Sequence, residues 1–499
     1  MPAATETEVK LGAWAGFELP ALDGVVDEVT PVGRLPRTLM AVYYDTPDLR
    51  LARWGVTVRH RSGDGTGWQV KLPEGDEGPA LVRRELSFEG PPSKVPEAVR
   101  SLVLAYARDT ALVPVARIRT VRTGVDLLDR EGSLVAEVVD DEVSVLHGGR
   151  VASRFREVEV EVGDRAPAGL LDAIVTKLQQ AGAGAPDSTP KVIRALGSRA
   201  LEPPEVAPGE LGKDPSAGEV VRHAIAASVA RILRHDPGVR IGDDPEDVHQ
   251  VRVGTRRLRS DLRTFAPLLD DDWLSPLRDE LKWLAGALGA VRDADVLGER
   301  LRRQAAGLPE PDTGGLAPVF RGLAKERDQA RAELMEALHS PRYVTLVERL
   351  VDAANHPPCR KAARAPAAEV VPGLVAAPVR KLRKAVKGLP DDPAPDDLHR
   401  IRILAKRARY ASEAAEPLVG KKAEALAGAL AEVQGVLGDH QDAVVAETWL
   451  RSAVDGADPA TALAAGELIA VQLAEAAATR KRWPKRWKKA DDKKLRSWL

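Results

Sequence analysis

Hydrophobic and polar positions follow two different patterns along this chain of 499 residues. In residues 1–200 they alternate in short runs separated by glycine-rich turns, a pattern typical of β-strands. In residues 215–499 the apolar positions recur every three or four residues, which predicts helices. Residues 201–214 are rich in proline and glycine, as linkers are. We therefore predict a strand-rich N-terminal domain, a linker and an all-helical C-terminal domain.

About eight strands are predicted in the first domain, each with an apolar face and a charged face. Side chains two positions apart lie on the same side of a strand, so charged residues at that spacing share a face. The acids in these strands include Glu6, Glu8, Glu137, Asp141, Glu157, Glu159 and Glu161, and the cations include Lys10, Arg59, Arg61 and Lys71. In an open sheet such a face is solvated, whereas in a closed eight-stranded barrel it lines a lumen with room for one small ligand.

The charged residues of this face indicate a particular class of ligand. Clustered carboxylates suit Mg²⁺ or Mn²⁺, which take oxygen ligands. Arginine and lysine suit a polyanion, and the guanidinium fork matches phosphate oxygens. If the sheet closes around both sets, we expect a metal–phosphate substrate.

The second domain contains a histidine-headed basic helix that occurs twice. Residues 246–265 form one predicted helix that carries His249, Arg252, Arg256, Arg257 and Arg259. Residues 396–415 carry the corresponding set 150 positions later, His399, Arg402, Lys406, Arg407 and Arg409. A fixed offset is the signature of duplication, and we place the two copies at about 215–365 and 366–499. One explanation for a basic helix face is simple solvation. Because like charges at successive turns repel one another, their presence in both copies favours an anionic partner.

Composition narrows the cellular context and the chemistry. Lys plus Arg is 73 and Asp plus Glu is 74, so the chain is nearly neutral and its charge contrast is local. The single cysteine, Cys359, excludes an intrachain disulfide framework and fits a reducing cytoplasm. We expect no signal peptide, and we expect no membrane span in the alanine-rich run at 460–478, which Glu467 and Glu475 interrupt. No P-loop ending, GxSxG or HExxH motif is present.

The motifs of the first part resemble those of a CYTH domain of the triphosphate tunnel metalloenzyme superfamily. The Glu-x-Glu-x-Lys signature is met by Glu6, Glu8 and Lys10, and the runs YYDTPDLRL, WQVKLP and EVEVEV also match. The second part resembles a CHAD domain, a conserved-histidine helical module. Its pattern VHxxRVxxRRLRxxL matches residues 248–262, and its second copy lies at 399–410.

The resemblance implies a fold and a set of activities. It implies a multidomain α+β protein, with an eight-stranded antiparallel β-barrel tunnel followed by an all-α domain of two duplicated four-helix bundles. Relatives of the first domain bind a triphosphate with a divalent metal and hydrolyse inorganic triphosphate, thiamine triphosphate or RNA 5′-triphosphates, and some are adenylate cyclases. CHAD domains are implicated in polyphosphate binding. We therefore expect a metal-dependent triphosphatase that uses Mg²⁺ or Mn²⁺, with inorganic triphosphate and long-chain polyphosphate as partners.

The resemblance also implies roles for individual residues. The implied metal ligands are Glu6, Glu8, Glu137, Asp141, Glu157, Glu159 and Glu161. The implied phosphate-holding cations are Lys10, Arg59, Arg61, Lys71, Arg122 and Lys191, which with Glu6 and Glu8 form the implied catalytic set. The implied polyphosphate contacts are His249, Arg252, Arg256, Arg257, Arg259, His399, Arg402, Lys406, Arg407 and Arg409. Arg83, Glu85 and Arg119 are further positions of the same kind.

Three other functions remain open from the sequence. The tunnel could have lost turnover, leaving a polyphosphate-binding protein of polyphosphate granules. Cyclisation of ATP would require a purine pocket, which the sequence does not reveal. The mixture of Trp, Lys and Arg at 480–498 would suit a nucleic acid, although we expect none as a partner. We expect a cytoplasmic location, with polyphosphate granules as a further possibility, and no membrane association.

Overall fold

The computed structural model describes residues 3–27, 29–73, 81–163, 165–187 and 189–499. For residues 3–7, 81–82 and 311–312 it describes the backbone only. The chain forms two compact units, Met1–Glu205 and Val206–Leu499. The boundary between them lies within residues 201–214, which the sequence analysis assigned to a linker.

In the first unit, the described residues form one antiparallel sheet of nine strands. The strands are β1 Ala3–Ala13, β2 Thr30–Gly33, β3 Arg37–Asp45, β4 Thr57–Ser62, β5 Gly67–Pro73, β6 Leu81–Phe88, β7 Val113–Leu128, β8 Leu134–His147 and β9 Arg150–Val162. Eight of them follow the order β7-β3-β4-β5-β6-β1-β9-β8, and pairing between β8 and β7 closes the ring. The short β2 pairs with the end of β7 that extends beyond β3. The predicted eight-stranded antiparallel barrel is therefore confirmed.

The described residues of this unit also form five α-helices, and two of them bear on the site. The helices are α1 Arg50–Arg53, α2 Glu97–Leu102, α3 Leu104–Ala107, α4 Leu170–Gln180 and α5 Lys191–Leu196. The apolar faces of β1, β8 and β9 point outward and pack against α4, whose Leu170, Ile174 and Leu178 are fully buried. Because the apolar side chains cover the outside of the barrel, the alternation along each strand places the charged side chains inside.

The second unit is helical. Its helices are α6 Ala217–Ile241, α7 Pro245–Thr264, α8 Asp271–Ala305, α9 Glu310–Thr313, α10 Ala317–His339, α11 Pro341–Asn355, α12 Ala367–Lys387, α13 Pro395–Ala414, α14 Glu416–Val419, α15 Lys421–Ala453 and α16 Pro459–Ala490. The long helices α6, α7, α8 and α10 pack in sequence, and α12, α13, α15 and α16 repeat this arrangement. The two basic helices, α7 and α13, contact one another. The Asp244 carboxylate caps the N-terminus of α7, and Pro245 occupies its first turn. The helix therefore begins at a defined residue.

The two copies share a hydrophobic core, which includes α16. This core contains Leu301 of α8, Leu323 of α10, Leu450 of α15 and Leu468 of α16, all at most 2% exposed. By length and composition alone, α16 could cross a membrane. Here it contributes one apolar face to a core built from both copies.

A buried carboxyl in α7 is expected to make stability depend on pH. Asp261 is 1% exposed, and burial together with Glu413 outweighs the effect of Arg257 and raises its pKa to about 8. The folded protein therefore keeps this proton at pH values where the unfolded chain releases it. The stability that this protonated carboxyl contributes is fully present below the pKa of Asp261 in the unfolded chain, about 4. It is lost as pH rises through the folded-state pKa of about 8. We expect Asp261→Asn to be more stable than the wild type, by a margin that grows by about 1 kcal/mol per pH unit between pH 5 and pH 7.

Urea unfolding at several pH values measures this margin. The exposed Asp279→Asn on α8 is the matched control and should show a constant difference from the wild type. A pH-independent margin for Asp261→Asn would show that this carboxyl is not protonated in the folded state.

Candidate functional site: a charged barrel lumen and a paired basic helix cluster

The barrel encloses a cavity of about 440 Å³ that is lined mainly by charged side chains. Each strand of the ring contributes residues from its inward face. The predicted site residues that line the cavity are Glu8, Lys10, Arg59, Arg61, Lys71, Arg122, Glu137, Asp141, Glu159, Glu161 and Lys191. The backbone of Glu6 lies in β1 opposite Arg83, but its side chain is outside the described residues.

Acidic residues form one wall of the lumen, on strands β1, β9 and β8. The strand register places Glu8 directly opposite Glu161, and Glu161 directly opposite Glu137. Side chains in such positions have Cβ atoms about 5 Å apart, so their like charges repel unless a cation lies near them. Candidate ligand oxygens of Glu8, Glu159 and Glu161 lie within 4.8 Å of one another. Three carboxylates at this spacing fit a divalent cation that takes oxygen ligands.

Other acids of the predicted metal set are engaged by cations. Glu137 accepts a hydrogen bond of 2.5 Å from Arg34. Asp141 accepts two from Arg122, at 2.8 and 2.6 Å, and lies 2.8 Å from the Lys191 ammonium. Glu157 is fully buried, 2.8 Å from the same ammonium. Among the acids whose side chains are described, Glu8, Glu159 and Glu161 thus form a three-carboxylate cluster, and Glu137, Asp141 and Glu157 lie outside it in ion pairs.

Glu159 joins these two groups. Its Oε1 accepts from Lys10 and from Lys191, each at 2.6 Å, and its Oε2 accepts from Arg122 at 2.8 Å. Burial would raise its pKa, but Lys10, Lys191 and Arg122 outweigh burial and hold the pKa well below its usual range. Glu159 is therefore a carboxylate at neutral pH.

Lys191 reaches the lumen from α5. Burial would lower its pKa, but Glu159, Asp141 and Glu157 outweigh burial and raise the pKa well above its usual value. It is therefore a permanent cation, and it neutralises the acidic wall from one side.

Basic residues form the opposite wall, on β4, β5 and β6. Lys71 lies 2.6 Å from Glu85, whose pKa is lowered because Lys71 and Arg59 outweigh burial. Burial and the neighbouring cation Arg59 lower the pKa of both Arg61 and Arg83. The Nε of Arg83 has no hydrogen-bond partner within the described part of the chain. A wall of partly desolvated cations with an unused donor suits an anionic ligand, because buried charges need partners.

The structure adds lumen residues that the sequence analysis missed or left open. Arg83 and Glu85 line the cavity, whereas Arg119 is exposed on the outside of β7. Tyr43 of β3 and Gln69 of β5 also line it. Period-two spacing could have identified Gln69, because it lies two residues before Lys71 on the same strand face. For β7 the sequence did not show which face points inward. In the structure Ile118, Thr120 and Arg122 line the cavity, so theirs is the inward face.

In the second unit, α7 and α13 bring four cations of the two copies together. These are Arg252, Arg256, Arg402 and Lys406, which we call the central cation cluster. Burial and the three arginines lower the pKa of Lys406 to about 7. The Nε atoms of Arg256 and Arg402 have no hydrogen-bond partner among the described residues. Such a concentration of like charge is costly without a counter-ion, which supports an anion site.

The supporting residues of this cluster repeat with the duplication. Arg252 lies against Gly289 of α8, and Arg402 lies against Gly438 of α15, where an added Cβ would be 3.9 and 3.6 Å from the guanidinium. Glycine at both positions lets an arginine lie along the neighbouring helix. The Arg252 guanidinium also donates to Asp293 at 2.9 Å.

The histidines that head the two basic helices lie in different surroundings. His399 Nδ1 lies 2.7 Å from the side-chain oxygen of Gln441. His249 lies near Arg292, and burial together with this cation lowers its pKa. A neutral amide therefore contacts the histidine of the second copy, whereas an arginine lies near the histidine of the first copy.

Other predicted polyphosphate contacts are placed outside the cluster. Arg257 and Arg409 both contact Glu413, at 3.1 and 2.6 Å, so they connect α7 and α13 through a shared carboxylate. Arg259 lies near Arg278, and Arg407 near Arg263. The structure therefore divides the two arginine rows into a central cluster, a helix-joining pair and a flanking set.

Each of the two units matches a known protein family. The CYTH domain matches residues 4–193, and the CHAD domain matches residues 223–451. The CYTH superfamily includes triphosphatases and cyclases, and its domains depend on a metal. The α16 helix lies beyond the matched part of the CHAD domain.

Individual proteins also resemble this chain. It is 33% identical over 481 residues to the Mycobacterium tuberculosis (strain CDC 1551 / Oshkosh) protein MT2285, which is named as uncharacterized, covering 89% of this chain and 88% of that protein. Among solved structures, PptA from Streptomyces chartreusis is 26% identical, with a TM-score of 0.47, over 55% of this chain and 99% of that one. The CHAD domain from the plant Ricinus communis is 29% identical, with a TM-score of 0.48, over 57% of this chain and 95% of that one. This chain therefore belongs to the proteins that join a CYTH domain to a CHAD domain.

Proposed function

We propose that the barrel hydrolyses phosphoanhydride bonds of inorganic triphosphate or polyphosphate with Mg²⁺ or Mn²⁺, and that the helical unit binds long-chain polyphosphate. The observation that carries the first part is the occurrence of two opposed walls in one cavity. One wall holds the carboxylate cluster Glu8, Glu159 and Glu161, and the other holds Arg59, Arg61, Lys71 and Arg83. A chain of phosphoryl groups with a bound cation needs both.

The protein's own residues account for binding and orientation of such a substrate. Arg59, Arg61 and Arg83 present guanidinium groups to phosphate oxygens, and Lys71 adds a point charge. In phosphoryl transfer, charge on the phosphate oxygens is neutralised by placed cations, so positioning and electrostatics supply most of the catalysis. When bound at Glu8, Glu159 and Glu161, a divalent ion would add charge neutralisation and activate water.

The lining favours phosphate over a nucleotide base. Charged, hydroxyl and amide side chains dominate it, and its apolar members include Leu39, Ala41 and Ile118. Ligand sites for organic rings are predominantly apolar. Inorganic triphosphate therefore fits better than ATP, and cyclisation of ATP is the weaker alternative.

The central cation cluster supports the second part of the proposal. A linear polyanion can contact the cations of both copies at once. Polyphosphate would thereby add counter-charge to a cluster in which Arg252 is paired with Asp293 and the Nε donors of Arg256 and Arg402 have no partner among the described residues. A cytoplasmic protein with this property would associate with polyphosphate granules, and this would hold even if the barrel did not turn over.

Loss of one cluster carboxylate should abolish hydrolysis. We expect Glu8→Gln to reduce phosphate release from inorganic triphosphate at least 100-fold, because a neutral amide is a poor ligand for a hard cation. Phosphate release is measured with Mg²⁺ and with Mn²⁺, using triphosphate, long polyphosphate and ATP as substrates. Glu142→Gln is the control, because Glu142 lies on β8 with its side chain exposed.

This assay, together with measurements of triphosphate binding and of cyclic AMP, separates the competing functions. Equal rates for Glu8→Gln and the wild type would contradict the proposed metal site. Binding of triphosphate without turnover in the wild type would leave a binding protein, and cyclic AMP formation from ATP would establish a cyclase.

Polyphosphate binding should depend on salt and on the central cation cluster. We expect Arg402→Gln to weaken binding about tenfold, since a charge-assisted hydrogen bond contributes about 1.5–3 kcal/mol. It should also reduce the slope of log affinity against log salt by about one. Titrations of labelled long polyphosphate at several salt concentrations measure both, with the exposed Arg400→Gln on the same helix as control. An unchanged affinity for Arg402→Gln would place the binding surface elsewhere.

Polyphosphate binding should also weaken as pH rises through neutrality. The Lys406 pKa of about 7 means that its ammonium form, which attracts the anion, is lost between pH 6 and pH 8. His249, whose pKa is lowered, is mostly neutral in the upper part of that range. We expect affinity to fall several-fold over this interval in the wild type and much less in Lys406→Arg, which keeps its charge. Parallel pH profiles for the two proteins would argue against this role for Lys406.

A further inference from the structure

Lys10 lies within the carboxylate cluster. It follows Glu8 by two residues on β1, so both side chains point into the lumen. Its ammonium is 2.8 Å from Glu8 Oε1 and 2.6 Å from Glu159 Oε1. It therefore joins two of the three carboxylates that would hold a divalent ion.

The other cations on Glu159 are placed differently. Lys191 and Arg122 each contact Glu159 and also Asp141, which lies outside the cluster. Their positions are therefore supported by further ion pairs. Within the described part of the chain, both ion pairs of Lys10 are with members of the cluster, so its position depends on the carboxylates that a metal would use.

We propose that the Lys10 ammonium stands in the place of the metal when the tunnel is free of phosphate, and that a divalent ion enters together with phosphate groups that give Lys10 a new partner. This rests on the proposed function, because it assumes that the cluster holds the metal of a phosphate substrate. It assigns Lys10 a role in the order of binding in addition to contact with phosphate.

The reason is electrostatic. Lys10 is mostly buried, with a side chain 11% exposed, so an ammonium displaced from Glu8 and Glu159 cannot simply become hydrated. A buried charge without a partner is strongly destabilising, and a divalent ion nearby would add repulsion. Both costs are offset when phosphate oxygens enter between the two walls and accept hydrogen bonds from the Lys10 ammonium.

Coupling of this kind is reciprocal. If phosphate raises the affinity for the metal by some factor, the metal raises the affinity for phosphate by the same factor. The site would therefore favour the metal–triphosphate complex over either component alone. Free Mg²⁺ in the cytoplasm would not hold the carboxylates in a metal-loaded state between substrates.

Metal binding without catalysis tests this inference. Binding of Mn²⁺ to the full chain is measured from the electron paramagnetic resonance signal of free Mn²⁺, with and without imidotriphosphate, a triphosphate analogue whose bridges resist hydrolysis. For the wild type we expect Mn²⁺ to bind at least tenfold more tightly with the analogue. For Lys10→Met we expect Mn²⁺ alone to bind at least tenfold more tightly than to the wild type, with little further gain from the analogue.

Two variants serve as controls. Lys10→Arg keeps the charge and should retain weak binding of Mn²⁺ alone. Lys71→Met removes a lumen cation that contacts Glu85, so it should weaken binding of the analogue and leave binding of Mn²⁺ alone unchanged. Thermal unfolding verifies that each variant is folded, and the wild-type comparison with and without analogue needs no variant.

The outcomes distinguish this inference from the proposed function. If folded Lys10→Met binds Mn²⁺ no more tightly than the wild type, or if the analogue leaves wild-type Mn²⁺ affinity unchanged while it binds, Lys10 does not stand in for the metal. If the analogue does not bind the wild type at all, the proposed triphosphate function fails. The comparison of Mn²⁺ alone between the two proteins still decides whether Lys10 competes with the metal.

Discussion

Repulsion between like charges that are partly withdrawn from water is the constraint on which both functional units depend. In the barrel, Glu8, Glu161 and Glu137 occupy adjacent positions on three neighbouring strands. In the helical unit, arginines from two copies of one helix meet around Lys406. Such arrangements persist only when charges of opposite sign lie nearby, either from the protein or from a ligand.

The two units meet this constraint in different ways. The barrel contains its own counter-ions, since Lys10, Lys191 and Arg122 all contact Glu159. Its lumen is therefore a balanced set of charges that a metal and phosphate can rearrange. In the central cation cluster, Nε donors of Arg256 and Arg402 lack a hydrogen-bond partner among the described residues. This imbalance suits the capture of an external polyanion, whereas the balanced lumen suits selective binding and chemistry.

The folds that present these charges depend on ordinary packing. The barrel turns its valines and leucines outward against α4, which leaves the inward positions for charged residues. The helical unit joins its two copies through a core of leucines from α8, α10, α15 and α16. In each case burial of apolar surface stabilises the fold and offsets the cost of gathering like charges elsewhere.

The sequence by itself determined the two domains, the strand and helix periods, the duplication and most of the charged lumen residues. Period-two spacing places Glu8 with Lys10, and Arg59 with Arg61, on one face whatever the tertiary fold, because it reflects local backbone geometry. The offset of 150 between His249 and His399 is likewise a property of the chain alone.

Only the tertiary structure decided which of these charges meet. Closure of the ring by β7 and β8 set the inward face of β7, so that Arg122 lies inside and Arg119 outside. It also brought Glu8, Glu159 and Glu161 into one cluster and left Asp141 and Glu157 outside it, in ion pairs with Lys191. Contact between α7 and α13 selected four cations for one cluster and joined Arg257 and Arg409 through Glu413. These pairings connect residues far apart in the chain, so they depend on strand register and helix packing, which local sequence patterns do not encode.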